Sequence, residues 1–117
     1  MTLKLETRVS NGVVILSCIG RVVFGDEANA LRDTLKHLLG SNKQILVNMS
    51  SVSYIDSGGL ASLVGAYSSA RMAGAEIKLM GLGQRIKDTL QVTKLVTVFE
   101  VYDSEQQAVA AFHRDVA

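Results

Sequence analysis

Tyr54-Ile55-Asp56-Ser57-Gly58-Gly59-Leu60 is the stretch of this 117-residue chain whose residue types ask for more than folding alone. A carboxylate and a hydroxyl stand side by side, followed by two glycines and the first residue of an apolar helical pattern. Asp56 or Ser57 can accept a hydrogen bond from an orphan helix N–H and so serve as an N-cap. The paired glycines are costlier: each loses up to about 1 kcal/mol against alanine in a helix interior, less near an end. In return they leave the Ser57 hydroxyl unscreened and let another backbone come close. The chemistry on offer is that of an accessible serine at the carboxyl end of a central strand, where open α/β sheets tend to build sites. On spacing alone, a tight strand-to-helix turn with an Asx or Ser cap is the simpler account.

Other chemistry-bearing residues read as structure. Gly81-Leu82-Gly83 lacks the third glycine and the lysine of a phosphate-cradling loop and predicts a plain strand-to-helix turn. His37 and His113 each fall on an amphipathic helical pattern with no cysteine or second histidine at ligand spacing. Ser57 is not in a G-x-S-x-G elbow, so no hydrolase is expected. Cys18, the only cysteine, reads as a small buried hydrophobe. Tyr54, Tyr67 and Tyr102 read as core or sheet-edge aromatics. Neither enzymatic activity, nor a cofactor, nor a metal is expected.

The elements that must position Ser57 follow from periodicity. Leu3, Leu5, Thr7 and Val9 alternate with charged residues, a half-buried strand. Asn11-Gly12 then predicts a type I′ turn, because both central residues need positive φ. Val13 to Ile19 is the return strand. Asp26 is expected to cap a helix with Ala28, Leu31, Leu35 and Leu38 inward, ending near Gly40. Gln44 to Met49 reads as a short central strand. Leu60, Leu63, Val64 and Tyr67 mark a second helix stopped by Gly74, and Ile77 and Leu79 sit in a third core strand. Ile86 and Leu90 suggest a third helix, and Val96 to Tyr102 a final strand. Ser104-x-x-Gln107 has the capping-box form and opens a last helix with Val109, Phe112 and Val116 inward. Strands alternating with helices imply right-handed βαβ crossovers and a mixed, largely parallel sheet.

Composition bounds the function classes. The length fits one domain, residues 1–117. Twelve Lys and Arg against eleven Asp and Glu leave no field that would draw nucleic acid or an acidic membrane. No stretch approaches the ~20 apolar residues of a membrane span. A lone cysteine precludes a disulfide framework within the chain and fits a cytoplasmic setting.

Val52-Ser53-Tyr54-Ile55-Asp56-Ser57-Gly58-Gly59-Leu60 resembles the phosphorylation-site signature of bacterial anti-sigma factor antagonists of the STAS domain family, a strand followed by Asp-Ser-(Ser/Thr)-Gly-Leu. Arg85-Ile86-Lys87-Asp88-Thr89-Leu90 through Leu95, Val98 to Tyr102, and Ser104 to Ala108 resemble the family's C-terminal pattern. The resemblance runs over nearly the whole chain. It implies a STAS-like α/β fold, a mixed and largely parallel sheet opened by an N-terminal β-hairpin, with about four helices. It places Ser57 on the phosphoacceptor, Asp56 on the acid before it, and Gly59-Leu60 on the Gly-Leu. It also implies a transcription-regulating partner switch: the unphosphorylated chain binds a serine-kinase anti-sigma factor of the ATPase type, phosphorylation ends the complex, and a serine phosphatase resets it.

The partner surface is then expected at Asp56, Ser57, Gly58, Gly59, Leu60 and an exposed helix face bearing Ser62, Ala66 and Ser69. Two positions differ from the family pattern. Val23 stands where members commonly carry an aspartate, with Asp26 three residues later, and Gly58 stands where Ser or Thr is usual. These differences motivate an alternative: an unphosphorylated STAS module in a lipid-transporter or multi-STAS scaffold assembly, with Ser57 only a cap. Nucleotide or small-ligand binding near the same loop is a third class. Self-association into a dimer is left open by the sequence.

Overall fold

The computed structural model describes residues 3–114, apart from the side chain of Val96. Asn11 and Gly12 both take positive φ, 50° and 80°, and fold β1 (Leu3–Ser10) antiparallel onto β2 (Val13–Val22), with Ser10 opposite Val13. The chain continues through α1 (Asp26–Leu39), β3 (Gln44–Ile55), α2 (Ser57–Met72), β4 (Glu76–Met80), α3 (Gln84–Val92), a 3-10 turn (Leu95–Thr97), β5 (Val101–Tyr102) and α4 (Glu105–Arg114). The sheet has the order β1-β2-β3-β4-β5, and every pairing after the hairpin is parallel. This is the mixed sheet with four helices that the sequence implied.

The three crossover helices share one face. Leu31 and Leu35 of α1, Leu60 and Leu63 of α2, and Ile86 and Leu90 of α3 join Leu16, Val47 and Leu79 of the strands in the main core. On the opposite face α4 lays Ala108, Val109 and Phe112 over Val13, Ile15, Leu46 and Met80. The Ser104 hydroxyl accepts the Gln107 N–H at 3.2 Å, so the cap half of the expected box starts α4. Val116 lies outside the described residues. Lys78 is fully buried on the α4 face, ion-paired with Glu100 and with Glu76, its ammonium 5.0 Å from the Phe112 ring centroid. Such pairing is what a cation removed from water requires.

Four sequence expectations are corrected. Asp26 is the first helical residue rather than the cap; Gly25, at φ 105°, occupies the cap position of α1 and has no side chain to offer. Leu39 rather than Leu38 completes the fully buried stripe of α1, Leu38 being half-buried. The central strand does not stop at Met49 but runs to Ile55, because β2 continues to pair with it as far as Val22–Ile55. Val96 to Tyr102 is not one strand. Lys94, in the left-handed region at φ 61°, turns the chain into the 3-10 segment, and only Val101–Tyr102 joins the sheet. The apolar run there plugs the core instead, Phe99 meeting the edge of Tyr67 at 5.5 Å between centroids.

The second helix ends as glycine chemistry demands. Gly74, at φ 71°, donates to the Arg71 carbonyl, and Ala75 donates back to Ala70 at 2.7 Å, the paired bonds of a Schellman stop.

Candidate functional site

β3 outruns β4, whose pairing ends at Asn48–Met80, and carries the turn into α2 beyond the rest of the sheet. Asp56, in extended conformation, is the N-cap of α2, and its carboxylate accepts the Gly59 N–H at 3.0 Å. The same carboxylate accepts the Phe24 N–H, at 3.0 Å to each oxygen, across 32 residues of sequence. The N–H groups of Phe24 first, then of Gly59, stabilise the anion and hold Asp56 below the usual carboxylate range. One side chain therefore caps α2 and anchors the β2–α1 loop beside it.

The two glycines answer to that loop. A Cβ on Gly58 would come within 2.7 Å of both Cα and Cβ of Phe24. A Cβ on Gly59 would come within 2.3 Å of the Val22 carbonyl oxygen and 2.7 Å of Ile55 Cγ1. The close approach expected at these positions is thus made by the chain's own β2 and the loop after it. Any side chain at position 58 would make this loop shift.

Ser57 is the first residue of α2 and is exposed. Because Asp56 takes the cap, the Ser57 hydroxyl makes no hydrogen bond among the described residues. It borders a shallow groove of about 310 Å³ lined by Phe24, Asn29, Arg32, Gly58 and Ala61. The expected exposed face of α2 is corrected. Ser62 and Ala66 are only 7% and 1% exposed, because their small side chains form the face that packs towards α1, where the Ser62 hydroxyl donates to the Ala28 carbonyl at 2.9 Å. Ser69 is half-buried, Leu60 and Gly59 are buried, and the open face carries Ala61, Gly65 and Ser68.

Phe24 was not among the residues expected at the site. It is 82% exposed, directly against Gly58. Its signal in the sequence was an aromatic between a strand pattern and Gly25, where neither period could bury it. Gly81 of the Gly81-Leu82-Gly83 turn, at φ 73°, lies close against Ser50, whose Cβ would stand 2.8 Å from a Cβ added there. A wider depression of about 570 Å³ opens at the other end of α2, lined by Arg71, Glu76 and Glu100 among others. Charges of both signs there single out no ligand. Among the described residues no group of His, Cys, Asp and Glu could hold a metal ion, and no helix is long and apolar enough to cross a membrane.

Comparison with known proteins places the chain carrying this site in one family. The STAS domain model matches residues 4–108, and the chain belongs to that family. Over 59 residues it is 36% identical to the anti-sigma-B factor antagonist of Listeria monocytogenes, an alignment spanning 50% of this chain and 52% of the relative. The chain thus spans about half the length of the curated relatives it matches. An anti-sigma factor antagonist from Mycobacterium paratuberculosis superimposes with a TM-score of 0.81 at 20% identity, covering 94% of this chain and 93% of that one. The Bacillus cell fate determinant SpoIIAA in its phosphorylated form superimposes with a TM-score of 0.71 at 17% identity, covering 94% and 98%. These likenesses establish the fold.

Proposed function

We propose that this protein is an anti-sigma factor antagonist working by partner switching in the cytoplasm. Unphosphorylated, it binds a serine-kinase anti-sigma factor through Ser57, Gly58, Phe24 and the open face of α2. Phosphorylation of Ser57 by that kinase releases it, and a serine phosphatase restores binding. The observation that carries this reading is the position of Ser57: exposed, first in α2, with its hydroxyl free because Asp56 supplies the cap.

The electrostatics support a switch that leaves the fold intact. A phosphate adds about −1.5 to −2 charges at neutral pH. The N-terminus of α2 favours an anion through its dipole. The Gly59 and Phe24 N–H groups already serve Asp56, so the phosphate stays towards solvent rather than folding inward. There it meets any partner seated on Phe24. Each ~1.4 kcal/mol of mismatch is tenfold in affinity, so a charge pressed against an apolar or acidic surface is enough to end a micromolar complex.

The test is an affinity capture from the native host with wild type and Ser57→Asp as baits. Capture of an ATPase-type serine kinase by wild type and its loss with Ser57→Asp is the expected result. Capture of transporter or scaffold subunits by both baits would refute it in favour of a constitutive STAS module.

A further inference from the structure

We infer that the outer edge of β1 pairs antiparallel with β1 of a second copy, about a two-fold axis at Thr7, joining two five-stranded sheets into one. β1 is the end strand of the sheet, with β2 on one side and, among the described residues, no strand on the other. Such an edge offers a row of free backbone donors and acceptors to another chain.

The register follows from the hairpin. A two-residue turn closes on a hydrogen-bonded pair, Ser10 with Val13. Antiparallel ladders alternate, so Arg8, Glu6 and Lys4 exchange bonds with β2, while Val9, Thr7, Leu5 and Leu3 direct their N–H and C=O outward. A symmetric partner must therefore set odd positions against odd ones, which a two-fold axis centred on any residue of β1 does. Centring on Glu6 would oppose Glu6 to itself and Lys4 to Arg8, and centring on Arg8 would oppose Arg8 to itself, so like charges disfavour both registers. Centring on Thr7 pairs Lys4 through Ser10 and opposes no like charges. Thr7 then faces Thr7, Leu5 faces Val9, Lys4 faces Ser10, and Glu6 faces Arg8 twice, once on each side of the axis. The backbone allows each of these registers, and the charges select the one centred on Thr7.

The side chains suit the pairing. Val9 is 70% exposed and Leu5 half-buried, and each covers the other across the axis. Glu105 of α4 holds Arg8 by a two-pronged ion pair, yet Arg8 keeps 54% of its side chain open to meet Glu6 of the second copy. Neither Ser57 nor Phe24 lies on this edge, so the inference is independent of the proposed function.

The experiment is a charge exchange read by sedimentation velocity across a concentration series. Wild type is expected to show a reversible monomer–dimer equilibrium. Glu6→Arg sets Arg against Arg, and Arg8→Glu sets Glu against Glu, so each alone should weaken self-association about tenfold or more. Mixing the two variants restores both opposite-charge pairs and should recover a heterodimer of near wild-type affinity.

Thr7→Cys supplies a second readout that leaves Arg8 and Glu105 in place. Hydrogen-bonded antiparallel neighbours have Cα atoms about 5.5 Å apart, within disulfide reach. Thr7→Cys should therefore cross-link to itself on mild oxidation. Val9→Cys, offset by four residues or about 13 Å, should not. A wild type that stays monomeric at every concentration overturns the inference. So does a mixture of the charge variants that stays monomeric, or equal cross-linking of the two cysteine variants.

Discussion

Replacing the three glycines of α2 by alanine, one at a time, should give three different stabilities from the same chemical change. Gly65 lies on the open face of the helix, and a Cβ there meets nothing within 4 Å. Gly65→Ala should gain close to the full helix-propensity difference, about 1 kcal/mol. Gly58→Ala starts from a smaller gain because it sits in the first turn. Against this stands a Cβ 2.7 Å from Phe24 Cα and Cβ. The β2–α1 loop can move, so the overlap costs about 1–3 kcal/mol and the net effect is a loss of about 1 kcal/mol. Gly59→Ala brings a Cβ within 2.3 Å of the Val22 carbonyl, held in the sheet by its place in β2 and packed in the core. Nothing there can yield cheaply, and the loss should reach about 3 kcal/mol or more. Urea unfolding reads all three. With an m-value of about 1.5 kcal/mol/M, 1 kcal/mol moves the midpoint by about 0.7 M. A Gly59→Ala protein as stable as wild type, or a Gly65→Ala protein less stable, would refute the packing assigned to this helix.

Asp56→Ala removes the cap of α2 and the anchor of Phe24, and should lower stability by about 1–2 kcal/mol in the same assay. Because Asp56 is held below its ordinary pKa in the folded chain, its contribution is complete above about pH 4 and is lost as pH falls below that through the folded value. Asp56→Asn should therefore lose stability less steeply than wild type between about pH 5 and about pH 2, checked by urea midpoints across that range. Ser57→Ala removes a hydroxyl with no hydrogen bond and should change stability by less than about 0.5 kcal/mol, measured by thermal melting. Burial pushes the Cys18 thiol up to about 12, so a thiol reagent should label the native protein far more slowly than the urea-unfolded chain, followed by absorbance.

The elements that local chemistry dictates were legible. Asn11-Gly12 located the hairpin, Gly74 the end of α2 and Ser104 the start of α4, because each rests on a turn or cap that few residue types can make. The errors came where tertiary context decides. The central strand was expected to end at Met49, yet β3 continues through Ser50, Ser51 and Ser53 because β2 stays beside it while β4 has ended. Small residues surround α2, so its pattern did not say which face packs, and Ser62 and Ala66 were placed outward although they meet α1. At the site, Asp56 and Ser57 were legible as the pair from which a cap would come. That Asp56 takes the cap, and that Phe24 rests on Gly58, depended on a loop 32 residues away.

Among the described residues, the groove beside Ser57 is lined by two chain segments, Phe24 to Arg32 and Ser57 to Ser62. No described residue after Gly74 lines that groove. The chain is thus divided like a tool, with a working tip built by its first two crossovers and a handle built by β4, α3, β5 and α4. The handle can be re-cut, provided it keeps its grip on β3, without altering what the tip presents. A hybrid that keeps residues up to Gly74 and takes its remaining elements from another STAS domain would show whether grip and tip can be exchanged independently.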